Sequence, residues 1–341
     1  MPRFLRRLAL FLLPILVMAI AAEAYVRSIP NSYCIKQQAL EQLADSLHTV
    51  ILGNSHAYSG LRPDLLLGTV LNLANVSQTL DMDHALLLRC FRQCPQLRDV
   101  ILVLDNSNLS DRPMEQTDEW LRITYYTLYM RRLGGHNPYL SRYGLELLHF
   151  QSFQGKIKKW RQQRQPDCTP LGWDTDNSRA AREDMAAEAA HAKGFPWDIS
   201  ALSEPDRIAR AQAIAEWDSL RTLTTLSRHT IQNDDATRHN IDLVLQMASL
   251  CQQRGIRLTL LCTPVRPDYA RGIPLRQQRL IEQTHRTCCQ QYGARSIDLS
   301  RDTTFTHDEY FDPDHLTHEG AAHLTRLLQM SMHQAAHQSP D

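Results

Sequence analysis

The sequence has no excess charge of either sign: 37 Lys and Arg balance 37 Asp and Glu over 341 residues. Without a basic surplus the chain sets up no long-range field toward polyphosphate, so composition does not point to nucleic acid as a partner. It also has no internal repeat and no long low-complexity run, which argues against a solenoid. Its eight cysteines (Cys34, Cys90, Cys94, Cys168, Cys251, Cys262, Cys288 and Cys289) are not spaced as a disulfide framework. No pair of C-x-x-C motifs is present to hold zinc. Cys90 and Cys94 lie one helical turn apart, and Cys288 and Cys289 are adjacent. That pattern favours buried or free thiols over bridges, although export would permit bridges.

What remains is ordinary globular material, 43% hydrophobic and 22% charged, enough for one large domain or two modest ones. The N-terminus stands apart. Arg3, Arg6 and Arg7 precede the apolar run Leu8 to Ala22. Such a run fits the core of a secretory signal, and Ala22-Glu23-Ala24 has the form of a cleavage site. It also fits an uncleaved anchor extended by Tyr25 and Val26, with the arginines held inside. Glu23, placed where a span would meet the headgroups, favours the anchor. On either reading residues 1–26 form a signal anchor or signal peptide, and residues 27–341 lie outside the cytoplasm, in the cell envelope.

Five short apolar segments predict strands: His48–Leu52, Thr69–Leu73, Val100–Leu104, Arg257–Cys262 and Arg295–Leu299. Helical periodicity is expected over Gln78–Cys94, Ala236–Arg254, Gln277–Tyr292 and Glu319–His333, with Gly255 ending the second. Strands alternating with helices imply a mainly parallel sheet covered on both faces, a three-layer α/β domain. The alternation breaks between about residues 109 and 233, a stretch too long for a loop. It is expected to be a helical insertion that caps the site. Its basic stretch Lys156–Arg164 reads as a solvated face, with a membrane or an anionic polymer as the alternative. Tyr125, Tyr126 and Tyr129 read as packing residues, with a sugar groove as the alternative.

The stretch "VILGNSHAYSGLRP" runs a buried strand into Gly53-Asn54-Ser55-His56. In an open parallel sheet, ligands bind beyond the carboxyl ends of the strands, where Ser55 should lie. Taken alone, Ser55 reads more readily as a helix cap than as a nucleophile. The distant "EYFDPDHLTHEGAAHLTRLL" supplies what a serine nucleophile lacks, a histidine base with a carboxylate to fix its tautomer. Asp312 and His315 are three residues apart, so a compact turn can set the carboxylate beside the ring. The alternative is a helix start rich in cap-forming residues.

Together these blocks resemble the SGNH, or GDSL-like, hydrolase superfamily. The matching residues are Gly53-Asn54-Ser55-His56 and Asp312-Pro313-Asp314-His315-Leu316, with Gly320 five residues after the histidine. "LNLANVSQTL" stands in the place of the second block and "VILVLDNSN" in that of the third. The resemblance is nearest the membrane-anchored branch linked to O-acylation of surface polysaccharides. It implies a three-layer α/β/α fold with a mainly parallel, about five-stranded, flavodoxin-like sheet. It also implies a cofactor-free serine esterase or O-acyltransferase, with O-acetyl as the group expected. Ser55 would be the nucleophile, His315 the base and Asp312 its orienting acid. Oxyanion donors would come from the Ser55 N–H, the Asn75–Ser77 turn, and Asn106 or Asn108. The second-block glycine of that superfamily is replaced at Asn75, Val76 or Ser77, and no glycine precedes the third-block asparagines. The implied partners are an acyl donor, a carbohydrate acceptor or acylated polysaccharide, and a membrane acyl-transfer protein.

Two other readings compete. His315, His318 and His323, with Asp312, Asp314 and Glu319, crowd into twelve residues, and His315 with His318 could share a metal. Alternatively, the irregular second and third blocks could mark a non-catalytic envelope assembly protein with a degenerate fold. "LLCTPVRPDYARG" ends the fourth strand at the same edge, where Arg266 or Tyr269 either touches substrate or belongs to a plain strand-to-helix connection.

Overall fold

Thr49–Leu52 (β1), Val70–Asn72 (β2), Asp99–Val103 (β3), Arg257–Cys262 (β4) and Arg295–Asp298 (β5) form one all-parallel sheet in the order β2-β1-β3-β4-β5. The computed structural model describes residues 2–116, 122–130, 157, 166–200 and 202–336. All five expected strands are present, with ends displaced by at most a residue. In register, Val50 faces Leu71 and Val100, Leu102 faces Leu260, and Leu261 faces Ile297. β1 and β3 are buried along their whole length, as a parallel strand covered on both faces must be, whereas the edge strand β5 alternates.

Residue alternation sorts the core into two layers. Val50, Leu52, Val100, Leu102, Leu258 and Leu260 point to one face, and Ile51, Ile101, Val103 and Leu261 to the other. The first face is covered by Ser32–Leu43 (α2), Leu80–Gln93 (α4), Asp234–Gln253 (α9) and Leu275–Tyr292 (α11). The second is covered by Ser55–Gly60 (α3) and His318–Ala336 (α12). This is the three-layer α/β/α arrangement. Helix ends follow local chemistry: Asn233 caps α9 with its side chain, and Arg254-Gly255 closes it as expected. Among the described residues, Cys90, Cys94, Cys251, Cys262, Cys288 and Cys289 carry free thiols.

Pro2–Ser28 (α1) is one helix, long and apolar enough to be a membrane anchor or signal sequence, with a mean hydropathy of 2.2 in its most apolar window. Most of it is exposed, but Val26 is buried. Short helices follow β3 and β4, at Asn106–Leu109 (α5) and Pro267–Gly272 (α10).

The described part of the insertion is mainly helical, with Arg122–Leu128 (α6), Arg179–Ala192 (α7) and Glu204–His229 (α8), and carries an antiparallel bridge between Cys168 and Asp174. Tyr126 is buried, with its hydroxyl on the Gln78 side chain, and Tyr129 is buried beside Tyr125. The basic stretch Lys156–Arg164 lies outside the described residues except for Ile157. Arg266 fixes α8 to the sheet. Its guanidinium donates to Asp218 at 2.5 Å and Thr222 at 2.8 Å on α8, and to its neighbour Asp268 at 2.6 Å. Arg266 therefore ties α8 to the segment that follows β4.

Candidate active site

β1 ends at Leu52, and Gly53 turns the chain with φ of +131°, a conformation that side chains other than hydrogen rarely adopt. A Cβ there would also stand 3.1 Å from Val103 Cβ and 3.2 Å from the Val103 carbonyl oxygen. Asn54 then caps α3, its side-chain oxygen accepting from His56 N at 3.0 Å while its amide donates to Ser107 Oγ at 2.7 Å. Ser55 opens α3, at the carboxyl edge of the sheet and next to the β1/β3 crevice where the strand order reverses.

The base comes from the loop before α12. Asp312 Oδ1 accepts from the backbone N–H of Asp314 at 3.1 Å and of His315 at 2.8 Å, which coils the loop into an Asx-type turn. Phe311 N also donates to the His315 carbonyl at 2.9 Å. This turn sets the Asp312 carboxylate beside its own histidine. His315 Nδ1 lies 2.9 and 3.1 Å from the two Asp312 oxygens, and His315 Nε2 lies 2.8 Å from Ser55 Oγ. The three residues selected from sequence therefore meet in one hydrogen-bonded line. Gly320 has a structural reason of its own, because a Cβ there would collide with the Glu309 carbonyl.

A second layer lies behind this line. His56 turns into the interior, with Nδ1 2.6 Å from Asp105 and Nε2 2.9 Å from Asp314. Asp105 also accepts from Ser107 N and Oγ, at 2.9 and 2.6 Å, as the cap of α5. Burial pushes His56 down, but the Asp105 and Asp314 carboxylates outweigh it and raise the ring to about 9. Burial likewise opposes protonation of His315, yet Asp312 and then Asp314 hold it well above the ordinary histidine value. Asp314 is held well below the carboxylate range against its own burial, by His315 and His56. From the insertion, Arg221 donates to Asp312 Oδ2 at 3.2 Å, and His229 sits 3.4 Å from Asp314. Burial pushes His229 down to about 4.

Ser55, Asp312 and His315 open into a cleft of about 540 Å³, walled on one side by α8 through Trp217, Arg221 and Arg228. Ser77 lines it with a left-handed φ of 55°, a position that glycine would occupy without strain. Asn75 is 1% exposed, and its amide nitrogen has no hydrogen-bond partner among the described residues. The other two candidate donors are engaged elsewhere. Asn106 donates to the Tyr269 hydroxyl at 2.8 Å. Asn108 donates to the Val103 carbonyl at 2.6 Å and accepts from Asp105 N at 3.0 Å, which closes the box around α5. Tyr269 is fully buried.

The histidines proposed to share a metal do not converge. His318 packs on Trp173 at 4.8 Å between ring centres, and His323 pairs with Glu309 at 2.8 Å. The group that does converge among the described residues is His56, Asp314 and His315. There, both nitrogens of each histidine already face a carboxylate or the serine hydroxyl. That donor set suits protons. Sequence reasoning missed His56, Asp105 and Arg221. The position of Asp105 at the carboxyl end of β3 was the one available signal. Comparison of the chain with protein-family models, curated proteins and solved structures finds no match.

Proposed function

We propose that the protein is an exported serine esterase or O-acyltransferase acting on acylated carbohydrate of the cell envelope. The observation that carries this reading is the line Ser55–His315–Asp312, with 2.8 Å and 2.9 Å contacts, at the mouth of a cleft on the carboxyl edge of a parallel sheet. Ser55 Oγ attacks the ester carbonyl while His315 Nε2 takes its proton, and Asp312 stabilises the resulting imidazolium. The tetrahedral oxyanion is met by the Ser55 N–H, which has no intrahelical acceptor at the first turn of α3, and by the Asn75 amide. Collapse expels the alcohol, which receives the proton from His315. An acyl group remains on Ser55. Water then yields esterase activity, and a sugar hydroxyl yields transfer.

The flanking chemistry supports a carbohydrate substrate. The cleft is lined by Asn177 and Trp217 among other polar and aromatic side chains, residue types that hydrogen-bond hydroxyls and pack on sugar rings. The apolar α1 supports attachment to a membrane, and the proposal sets residues after about 27 on the outer side with a membrane acyl-transfer protein as the donor. Small, O-acetyl-sized acyl groups are the first to try.

The test is covalent labelling of the full chain in detergent with a fluorophosphonate, read by peptide mass spectrometry, alongside p-nitrophenyl acetate hydrolysis. Label on Ser55 that disappears in Ser55→Ala and His315→Ala is expected. A folded wild-type protein that neither labels nor hydrolyses the ester would overturn the reading.

A further inference from the structure

Both nitrogens of His56 face carboxylate oxygens, and its side chain is 1% exposed. A neutral imidazole has a single N–H, so one of these contacts would press a lone pair against a carboxylate. Only the imidazolium, with a proton on each nitrogen, satisfies both. A buried cation of this kind is stable because the two carboxylates offset its desolvation.

The charge matters because of what lies on the far side of Asp314. Asp314 Oδ1 is 3.3 Å from His315 Nδ1, which already has both Asp312 oxygens within 3.1 Å. Two unopposed carboxylates on one ring would keep His315 protonated and unable to accept a proton from Ser55. Asp312 is partly offset by Arg221. His56 does the same for Asp314, its ring centre 4.9 Å from that of His315.

We propose that His56 is a positioning residue: its imidazolium, clamped between Asp105 and Asp314, offsets part of the Asp314 charge and so limits how far Asp314 adds to Asp312 in holding the proton on His315. This inference rests on Ser55 being the nucleophile. The other groups around the pair are accounted for. His229 on α8 faces Asp314 and the His56 ring, bonds the Tyr269 hydroxyl of α10 at 2.7 Å, and is neutral. Thr263 reaches Asp105 Oδ2 at 3.5 Å, and Ser107 bonds the other Asp105 oxygen. Asp111, beyond α5, is pushed up to about 7 by burial and by Asp105, so it is about half ionised at neutral pH and gains charge across the same window.

The test is the pH dependence of fluorophosphonate labelling of Ser55 in the full chain, from pH 6 to 10. The acid limb reports the proton on His315. In His56→Gln the limb moves to higher pH, by roughly one unit, with labelling recovered at alkaline pH. In Asp314→Asn it moves to lower pH. In the double variant it returns toward the wild-type position. A role confined to packing would lower labelling without opposite displacements. A folded His56→Gln protein whose limb is unmoved or lowered overturns the proposal. If His56→Gln does not fold, an unmoved or raised limb in Asp314→Asn does the same. Should wild type not label at any pH, the nucleophile reading fails separately, and nitrogen-15 NMR of the His56 ring still decides. Two protonated ring nitrogens at pH 7.5 are expected, and a neutral tautomer would sink the inference.

Discussion

Two clefts of nearly equal size lie at opposite edges of the sheet, about 540 Å³ beyond the carboxyl ends of the strands and about 530 Å³ at their amino ends. Both are lined by charged side chains, so neither volume nor charge tells them apart. Their chemistry does. At the amino end, Arg257 and Asp99 form a 2.6 Å pair with the arginine 68% exposed. That pair is an ion pair with its arginine mostly in water, at a cleft that His333 also lines, and no serine hydroxyl is aimed at a histidine ring there among the described residues. At the carboxyl end, histidines and carboxylates are buried together, a serine hydroxyl points at one ring, and an inserted helix forms the wall. The crossovers of a parallel sheet bring loops and helix starts to the carboxyl edge, where side chains from distant segments can meet.

The strongest way to break the comparison is to remove the orienting carboxylate. Asp312→Asn keeps the shape of the turn but favours the wrong tautomer of His315. A loss of about 10⁴-fold in the labelling rate of Ser55 is expected, in line with the serine-protease case. Arg257→Ala at the other cleft should leave that rate unchanged. Equal losses in both variants would mean that the two ends are not chemically distinct.

Next in size is a pH effect on stability. His56 is held at about 9 when folded and titrates near 6.5 when unfolded, so the folded state binds its proton more tightly. Below pH 6.5 both states are protonated and the full contribution is present. Between 6.5 and 9 the unfolded chain has released the proton while the folded chain keeps it, so stability falls with rising pH. Above about 9 the contribution, on the order of 3 kcal/mol, is gone. Urea unfolding of the full chain between pH 6 and 10 should show this decline, and His56→Gln should make it shallower, the remainder coming from His315, which is also held above the ordinary histidine value. A wild-type curve that is level across that window would contradict a buried imidazolium.

Much of this was legible in the sequence, for local reasons. The five strands are short apolar runs that the sheet buries, and the Asp312 turn closes over four residues. The asparagines were ambiguous because one amide suits a helix cap as well as an oxyanion. Asn108 became a cap, while the Asn75 nitrogen has no partner among the described residues. His56 was hidden because nothing beside it says where its ring turns: its partners are 49 and 258 residues away. Arg221 was equally hidden. It reaches Asp312 across 91 residues, from a helix that Arg266 binds through Asp218. Long-range placement of polar side chains leaves no periodic trace in sequence.

A smaller effect separates the turn that presents Ser55 from the pair that guards the other cleft. Gly53→Ala demands a left-handed φ of +131° from a residue with a Cβ, set against the Val103 carbonyl. A cost of about 1–3 kcal/mol is expected. Labelling of Ser55 should fall as well, because relieving that strain displaces the start of α3. Arg257→Ala removes only an ion pair whose arginine is mostly in water, and should cost at most about 1 kcal/mol, less in high salt. Thermal unfolding of both variants at low and high salt tests the contrast. Loss of stability without loss of labelling in Gly53→Ala would show that the turn supports the fold but does not aim the serine.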